Sequence, residues 1–210
     1  AAVVELGMNA PGEIAALGRL CAPDLGVLTG VGRAHLAGLG SRAAIIDAKL
    51  ELAEVLGPER QLILPGDDPE LLAAARRRPA ALTTVGREDH NTLRLIRMEP
   101  DPTGWRAELR GLGYDDRVVT LPVAAPGLMP NALLALAVAH DFGIAPAAAI
   151  EALAAFRPLP HRMMLRIAGD VEIIDDCYNA NPESMAVALV ALRLRRARRR
   201  LAVLGDMREL

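Results

Sequence analysis

The chain contains a single lysine, Lys49, although it carries 24 lysine and arginine residues in all. Arginine can replace lysine on a solvated surface. It cannot replace a lysine whose neutral amine takes part in chemistry, because the guanidinium stays protonated. The position of Lys49 therefore indicates where a reactive site could lie. The alternative is that an arginine-rich chain retains one surface lysine by chance, and composition alone leaves both interpretations open.

Glu5, His35 and Asp176 also carry side chains that can bind or react. Each lies at or just past the end of a stretch whose apolar residues predict a strand. Ligands of open α/β sheets bind beyond the carboxyl ends of the strands, so these three residues are candidates for a site. Lys49 is on the helix predicted after His35, and it could face the same crevice as Glu5 and His35.

A neutral lysine amine can take up carbon dioxide and form a carbamate, which is an anionic oxygen ligand. Magnesium favours oxygen ligands and works beside substrate phosphates, so Glu5, His35 and a carbamylated Lys49 would suit such an ion. Residues of these types are a weak signal by themselves. An exposed Glu5, a hydrogen-bonded His35 and a surface Lys49 are the alternative interpretation.

The elements that must position these residues alternate between strand and helix over residues 2–77, which predicts a parallel α/β sheet. The predicted strands there are 2–6, 25–29 and 61–64, and the predicted helices are 11–20, 41–56 and 69–77. A β-rich stretch expected to be antiparallel follows, with strands at 81–85, 92–98, 105–110 and 117–121. The remaining predictions are helices at 130–142, 146–156 and 182–196, and strands at 171–176 and 201–204.

The final strand–helix–strand unit predicts the start of a new domain, with a boundary near residues 157–162. The two predicted domains are therefore residues 1–160 and residues 161–210.

Composition excludes several classes of partner. The formal net charge is −2, so no overall basic field draws the chain to nucleic acid or to an anionic membrane. The basic run 193–200 is interpreted as a solvated helix end rather than a nucleic-acid patch. The longest apolar run, 132–139, is too short to cross a bilayer, and no signal peptide is evident at the N-terminus. Cys21 and Cys177 are expected to be buried thiols of a cytoplasmic protein.

Four stretches match a known pattern in order along the chain. They are Glu5–Ile14, then Ala34-His35-Leu36 with Gly40-Ser41, then Ala48–Glu51, and finally Asp175–Met185 followed by Val203–Leu210. On these motifs the chain resembles the Mur ligases, and within them the type that adds D-alanyl-D-alanine to UDP-N-acetylmuramoyl-tripeptide. The Asp-Asp-x-Tyr-Asn-Ala-Asn-Pro motif that starts at Asp175 separates this type from its sister ligases.

The resemblance implies the remainder of a central ATP-binding domain, a mostly parallel sheet with a small antiparallel portion, followed by the start of a Rossmann-like C-terminal domain. It implies an ATP-dependent amide ligase of peptidoglycan precursor synthesis that works through an acyl phosphate. The cofactors implied are ATP, two magnesium ions and a carbamylated Lys49. The substrates implied are UDP-N-acetylmuramoyl-tripeptide and D-Ala-D-Ala, with a monomer as the expected state and no nucleic-acid partner.

The resemblance also assigns residues. Glu5, His35 and Lys49 match the family's magnesium ligands, and Lys49, His35 and Arg162 are the implied catalytic groups. Asn131 matches an asparagine near the adenine, Arg162 an arginine that reaches the ATP phosphates, and Asp176 an acid that holds the ribose hydroxyls. Asn179 and Asn181 are expected to shape the hinge between the domains.

The sequence departs from the family pattern in one large respect. The family's Gly-rich phosphate loop ends in Gly-Lys-Thr or Gly-Lys-Ser, and the single lysine of this chain lies outside any such motif. The expectation is therefore an internal fragment that lacks this loop, the N-terminal domain and most of the C-terminal domain, and that is inactive alone.

Smaller departures include Thr29-Gly30 in place of Thr-Asn, and Pro126–Asn131, which is shortened and lacks the family's histidine. They leave open a catalytically dead fragment or a diverged paralogue that at most binds nucleotide. A sister ligase is a third hypothesis, which the Tyr-Asn-Ala-Asn-Pro motif opposes.

Overall fold

The computed structural model describes residues 1–32, 39–101 and 104–207. A six-stranded sheet forms its centre, with the strands side by side in sequence order. The strands are β1 Leu25–Val27, β2 Gln61–Pro65, β3 Ala81–Gly86, β4 Leu93–Asp101, β5 Gly104–Arg110 and β6 Val118–Leu121. The first four strands pair in parallel, whereas β4, β5 and β6 pair antiparallel. The mixed sheet confirms the α/β fold expected from the sequence.

Helices cover both faces of the parallel part of the sheet. Those on one face are α1 Glu13–Cys21, α2 Arg42–Leu56 and α3 Pro69–Ala75, and those on the other are α4 Met129–Asp141 and α5 Pro146–Ala154. The alternation along β2 shows why both faces are covered. Leu62 and Leu64 join the core under the first three helices, while Ile63 joins the core under α4. A strand buried on both faces reads as an unbroken apolar run, as β2 does.

A smaller unit follows α5. It consists of the hairpin β7 Met164–Ala168 and β8 Val171–Asp175, and the helix α6 Pro182–Leu194. Met163 and Ala191 of this unit pack against Ala124 and Ala125, which precede α4. This small cluster fixes the hairpin and α6 beside the start of α4.

Side-chain caps set where three helices begin. The Ser41 hydroxyl accepts a hydrogen bond from the Ala44 amide at 3.1 Å, which starts α2 as expected. Asp68 caps α3 in the same way through the Leu71 amide. Asn181 and Ser184 bond each other's backbone amides at the start of α6, which satisfies two donors reciprocally. These caps position the helices that carry or approach the candidate site.

Two predicted strands are wrong. Residues 1–8 and 201–207 form no strand, and Val3 and Val203 are almost wholly exposed. Apolar residues favour a strand only where a neighbouring strand offers backbone partners, and no described strand pairs with either segment. The opposite error occurs at β7, which the sequence analysis missed and which pairs with β8.

The stretch 81–121 is antiparallel only in part. β3 follows β2 through α3 and pairs with it in parallel, as a strand–helix–strand connection requires. β3 and β4 are parallel over only two residue pairs, which join the end of β3 to the start of β4. The short connection between the two strands therefore has to carry the chain back over only a small distance.

Both cysteines are exposed, so the expectation of buried thiols is wrong. Cys21 ends α1, whose buried side is formed by Ile14 and Gly18, and Cys177 lies in the turn after β8. No helix in the described part of the chain has both the length and the hydropathy needed to cross a bilayer.

Candidate functional site

Lys49 lies on α2, half-buried between the buried residues Ala48 and Leu50. Burial lowers the pKa of the Lys49 amine, because the charged form loses hydration. No carboxylate in the described ranges forms an ion pair with it, so no partner offsets the cost. The uncharged amine is therefore more available than in a solvated lysine, and the uncharged amine is the form that reacts with carbon dioxide. Lys49 therefore differs from a fully solvated surface cation in its burial and in the direction of its pKa.

Glu5 lies on the exposed, irregular segment that precedes α1. The end of this segment is held in place, because Met8 is buried in the core under α1 and α2. Glu51, two residues after Lys49, accepts hydrogen bonds from the amides of Gly12 at 2.6 Å and Ala15 at 3.0 Å. These contacts attach the start of α1 to the part of α2 that carries Lys49.

The predicted set of Glu5, His35 and Lys49 is placed only in part. No hydrogen bond or ion pair joins Glu5 to Lys49 in the portion of the chain that the structure describes, and Glu5 is exposed. His35 lies outside the described residues. The Glu5 carboxylate is an oxygen donor that suits magnesium, and Lys49 would offer an oxygen donor only as a carbamate.

The loop after β1 approaches the smaller unit. A Cβ built on Gly32 would lie 2.5 Å from a carboxylate oxygen of Glu183, which is in the first turn of α6. A side chain at position 32 would require the Glu183 carboxylate to move. The loop that leads towards the predicted histidine therefore contacts the helix that follows the Asp175–Pro182 motif.

Asn131 is exposed in the first turn of α4. An open cleft of about 440 Å³ lies beside this turn, between α4 and α6. It is lined by Arg87, Leu95, Met98, Pro126, Gly127, Met129, Pro130, Ala186, Val187 and Val190. The lining is mostly apolar, which is a feature that a flat base can use.

Arg162 and Asp176 are brought together at the open end of the β7–β8 hairpin, because Arg162 precedes β7 and Asp176 follows β8. An Asp176 oxygen accepts a hydrogen bond from the Met163 amide at 3.0 Å, next to Arg162 in the chain. The Arg162 guanidinium stacks on the Tyr178 ring, 4.1 Å from its centroid. Stacking uses the face of the guanidinium and leaves its in-plane N–H groups free to bind anions. Met163 packs against Ala124 and Ala125, so this pair lies near the segment that leads into α4.

A polar cluster that the sequence analysis missed lies beside this pair. The Asp175 carboxylate is 3.1 Å from Nδ1 of His161, accepts from the thiol of Cys177 at 3.2 Å and pairs with Arg166 at 2.8 Å. The hydrogen bond from His161, and then that from Cys177, lower the pKa of Asp175, while the bond to Asp175 raises the pKa of the Cys177 thiol. Asp175 and Cys177 flank Asp176 in the motif. Because alternate residues of an extended chain share a side, the motif itself could have predicted that Asp175 and Cys177 lie together.

A second network was also missed. Asp67 accepts hydrogen bonds from the amides of Arg87 and Glu88 and from the side chain of Asn91. Burial raises the pKa of Asp67, but these hydrogen bonds outweigh it, so the net pKa is lowered. The network attaches the connection between β3 and β4 to the loop after β2.

Models of two protein domains match the chain. The "Mur ligase middle domain" matches residues 1–139, and the "Mur ligase, glutamate ligase domain" matches residues 161–210. The curated UDP-N-acetylmuramoyl-tripeptide--D-alanyl-D-alanine ligase of Bacillus subtilis is 35% identical over all of this chain, and that of Mycobacterium tuberculosis H37Rv is 35% identical over 99% of it. The chain spans 45% and 42% of those two relatives, which is less than half their length.

Solved structures agree with the sequence relatives. MurF from Acinetobacter baumannii superposes with a TM-score of 0.80 at 26% identity, over 90% of this chain and 42% of that one. MurF from Thermotoga maritima in complex with ADP superposes with a TM-score of 0.78 at 28% identity, over 88% of this chain and 42% of that one.

Proposed function

Because this chain belongs to the Mur ligase family, we propose that it is part of an ATP-dependent ligase that joins D-alanyl-D-alanine to a UDP-N-acetylmuramoyl-tripeptide. The observation that carries the proposal is the identity of 35% along the whole chain to a ligase of that name. The Asp175–Pro182 motif, on which the resemblance to this type of ligase rests, lies beside Arg162 and the start of α4.

The reaction proceeds in two steps. ATP phosphorylates the terminal carboxylate of the tripeptide, and the amine of D-alanyl-D-alanine then attacks the acyl phosphate and releases phosphate. Negative charge develops on the transferring phosphoryl group and then on the tetrahedral centre, so the site must present fixed positive groups and hydrogen-bond donors. We assign this role to Arg162, whose stacking on Tyr178 orients its N–H groups.

Lys49 carries the metal-binding part of the proposal. Carbamylated Lys49, with Glu5 and His35, would hold magnesium, which supplies positive charge next to the phosphates. The support is the lowered pKa of the half-buried Lys49 amine and the attachment of the Glu5 segment to α2 through Glu51.

Nucleotide binding is assigned to three residues near the domain junction. Asn131 lies by the adenine in the cleft beside α4, Arg162 contacts the phosphates, and Asp176 binds the ribose. The proposed domains meet near residue 160, so closure of residues 161–210 onto residues 1–160 would bring Arg162 and Asp176 to a nucleotide held at α4. Asn179 and Asn181 lie on the segment that would act as the hinge. The protein would work as a monomer in the cytoplasm, where its nucleotide-linked substrate is made.

The test is a ligation assay on the ligase that contains this chain. Phosphate release from ATP should require both the UDP-linked tripeptide and D-alanyl-D-alanine, and a single amino acid should not replace the dipeptide. Release with glutamate or a single alanine instead would assign a sister ligase. ATP binding without release under any pair of substrates would support the diverged, nucleotide-binding paralogue.

A further inference from the structure

The cluster of His161, Asp175 and Cys177 presents one nitrogen, one oxygen and one sulfur atom at a single point on the surface. Among the histidine, cysteine, aspartate and glutamate residues that the structure describes, these three have ligand atoms that all lie within 4.8 Å of one another. The ligation chemistry proposed above uses neither the imidazole nor the thiol. We propose that these three side chains form a binding site for a zinc ion.

The separations of the ligand atoms fit tetrahedral zinc. Zinc binds sulfur at about 2.3 Å and nitrogen or oxygen at about 2.0 to 2.1 Å, so tetrahedral angles place its ligand atoms roughly 3.3 to 3.6 Å apart. Here Nδ1 of His161 lies 3.1 Å from Asp175 and 3.5 Å from the Cys177 sulfur, and that sulfur lies 3.2 Å from Asp175. Each distance needs to change by only a few tenths of an ångström to admit the ion.

The types of ligand also favour zinc. Magnesium and calcium select oxygen, whereas a mixed set with thiolate and imidazole suits zinc among the common divalent ions. Three protein ligands leave a fourth position for water or another small ligand. His161 and Cys177 are both exposed, so an ion can enter from solvent without rearranging the fold.

The backbone around the cluster is held in place before any ion binds. His161 and Met163 both adopt positive φ, at 63° and 52°, which a residue with a side chain rarely does. The Tyr178 amide donates to the His161 carbonyl at 3.1 Å, and the Met163 amide donates to Asp176 at 3.0 Å. These bonds join the turn before β7 to the turn after β8, so the two sides of the cluster approach as one unit.

Zinc binding must change the hydrogen bonds and the protonation of the cluster, in which Arg166 also takes part. Arg166 holds Oδ2 of Asp175 at 2.8 Å, and Nδ1 of His161 lies 3.1 Å from both carboxylate oxygens. Oδ1, which also accepts from the Cys177 thiol, is the oxygen that would bind zinc. Zinc replaces the thiol proton of Cys177, which leaves to solvent. Nδ1 of His161 must bind without a proton, so the imidazole keeps its proton on Nε2. The raised pKa of the free thiol reflects its bond to the Asp175 oxygen, and zinc takes the place of that proton.

Titration of the 210-residue chain with zinc against a chromophoric chelator tests the site, and Cys21 provides a matched control. Both cysteines are exposed and free, but only Cys177 belongs to the cluster. The wild-type chain should take up one equivalent of zinc, and Cys177→Ser and His161→Gln should each weaken binding at least about tenfold. Cys21→Ser should bind as the wild type does.

The absorption spectrum of the cobalt-substituted site provides a second test, which does not depend on affinity. The wild-type chain and Cys21→Ser should show a thiolate-to-cobalt charge-transfer band, and Cys177→Ser should lack it while its far-ultraviolet circular dichroism stays unchanged. No stoichiometric zinc, equal zinc affinity in Cys177→Ser, or a charge-transfer band that follows Cys21 would each overturn the proposal.

Discussion

At the scale of single residues, the only lysine of the chain, Lys49, lies in an environment that alters the chemistry of its amine. The side chain is half-buried without a carboxylate partner among the described residues, and burial lowers its pKa. Arginine in the same place would stay charged and could not form a carbamate. A lysine at this position is what the proposed carbamate requires.

Arg162 is the residue whose loss should most affect nucleotide binding. Arg162→Ala in the ligase should weaken ATP binding about tenfold to a hundredfold, because a hydrogen bond to a charged group contributes roughly 1.5 to 3 kcal/mol. Isothermal titration of the variant measures this directly. Arg198→Ala, another exposed arginine away from the motif, serves as the control and should bind normally. Equal affinity in the two variants would remove Arg162 from the nucleotide site.

At the scale of elements, the start of α2 controls how Lys49 is presented. Ser41→Ala removes the hydroxyl that accepts from the Ala44 amide, and it should lower the free energy of unfolding by about 1 kcal/mol. Urea unfolding followed by circular dichroism measures the loss. Ser41→Asp keeps a capping oxygen and should retain most of the stability. If both substitutions cost the same, the cap does not act as described.

The Asp67 network predicts a pH dependence. The folded pKa of Asp67 lies below its ordinary value of 3.8, so the stability it contributes is present above that value and is lost as the pH falls through the lower folded pKa. Asp67→Asn should lower the free energy of unfolding at neutral pH by roughly 1 to 3 kcal/mol. Urea unfolding at several pH values should show the gap between wild type and variant narrowing below the ordinary value. A gap that stays constant in acid would contradict the assignment.

At the scale of the whole molecule, the order of strands and helices was largely predictable, because β2, α2 and α4 have clear apolar patterns and caps or prolines. The segments 2–6 and 201–204 are also apolar, but no strand among the described residues pairs with them. A segment's own residues do not determine whether a partner strand lies beside it. Similarly, the motif identified Asp176 and Tyr178, while the approach of His161 to Asp175 depends on the hairpin that brings the two together. Distant contacts of this kind need the fold.

The size of the chain leads to a prediction about activity. The 210 residues span 45% of the length of the Bacillus subtilis relative, so we expect the isolated chain not to form the amide bond. Phosphate release by the isolated chain, dependent on both substrates, would show the expectation to be wrong. The ligase that contains the chain is the positive control under the same conditions.

The central claim is that Lys49 works as a carbamate in a ligase, and substitution with chemical rescue tests it most directly. In the ligase, Lys49→Ala and Lys49→Arg should both lose activity by at least about a hundredfold, because neither can supply the anionic oxygen ligand to magnesium. A short carboxylate such as formate or acetate should restore part of the activity of Lys49→Ala, whose truncated side chain leaves room, and none of that of Lys49→Arg. Full activity in Lys49→Arg would contradict the account, because a retained positive charge would then be all that the site requires.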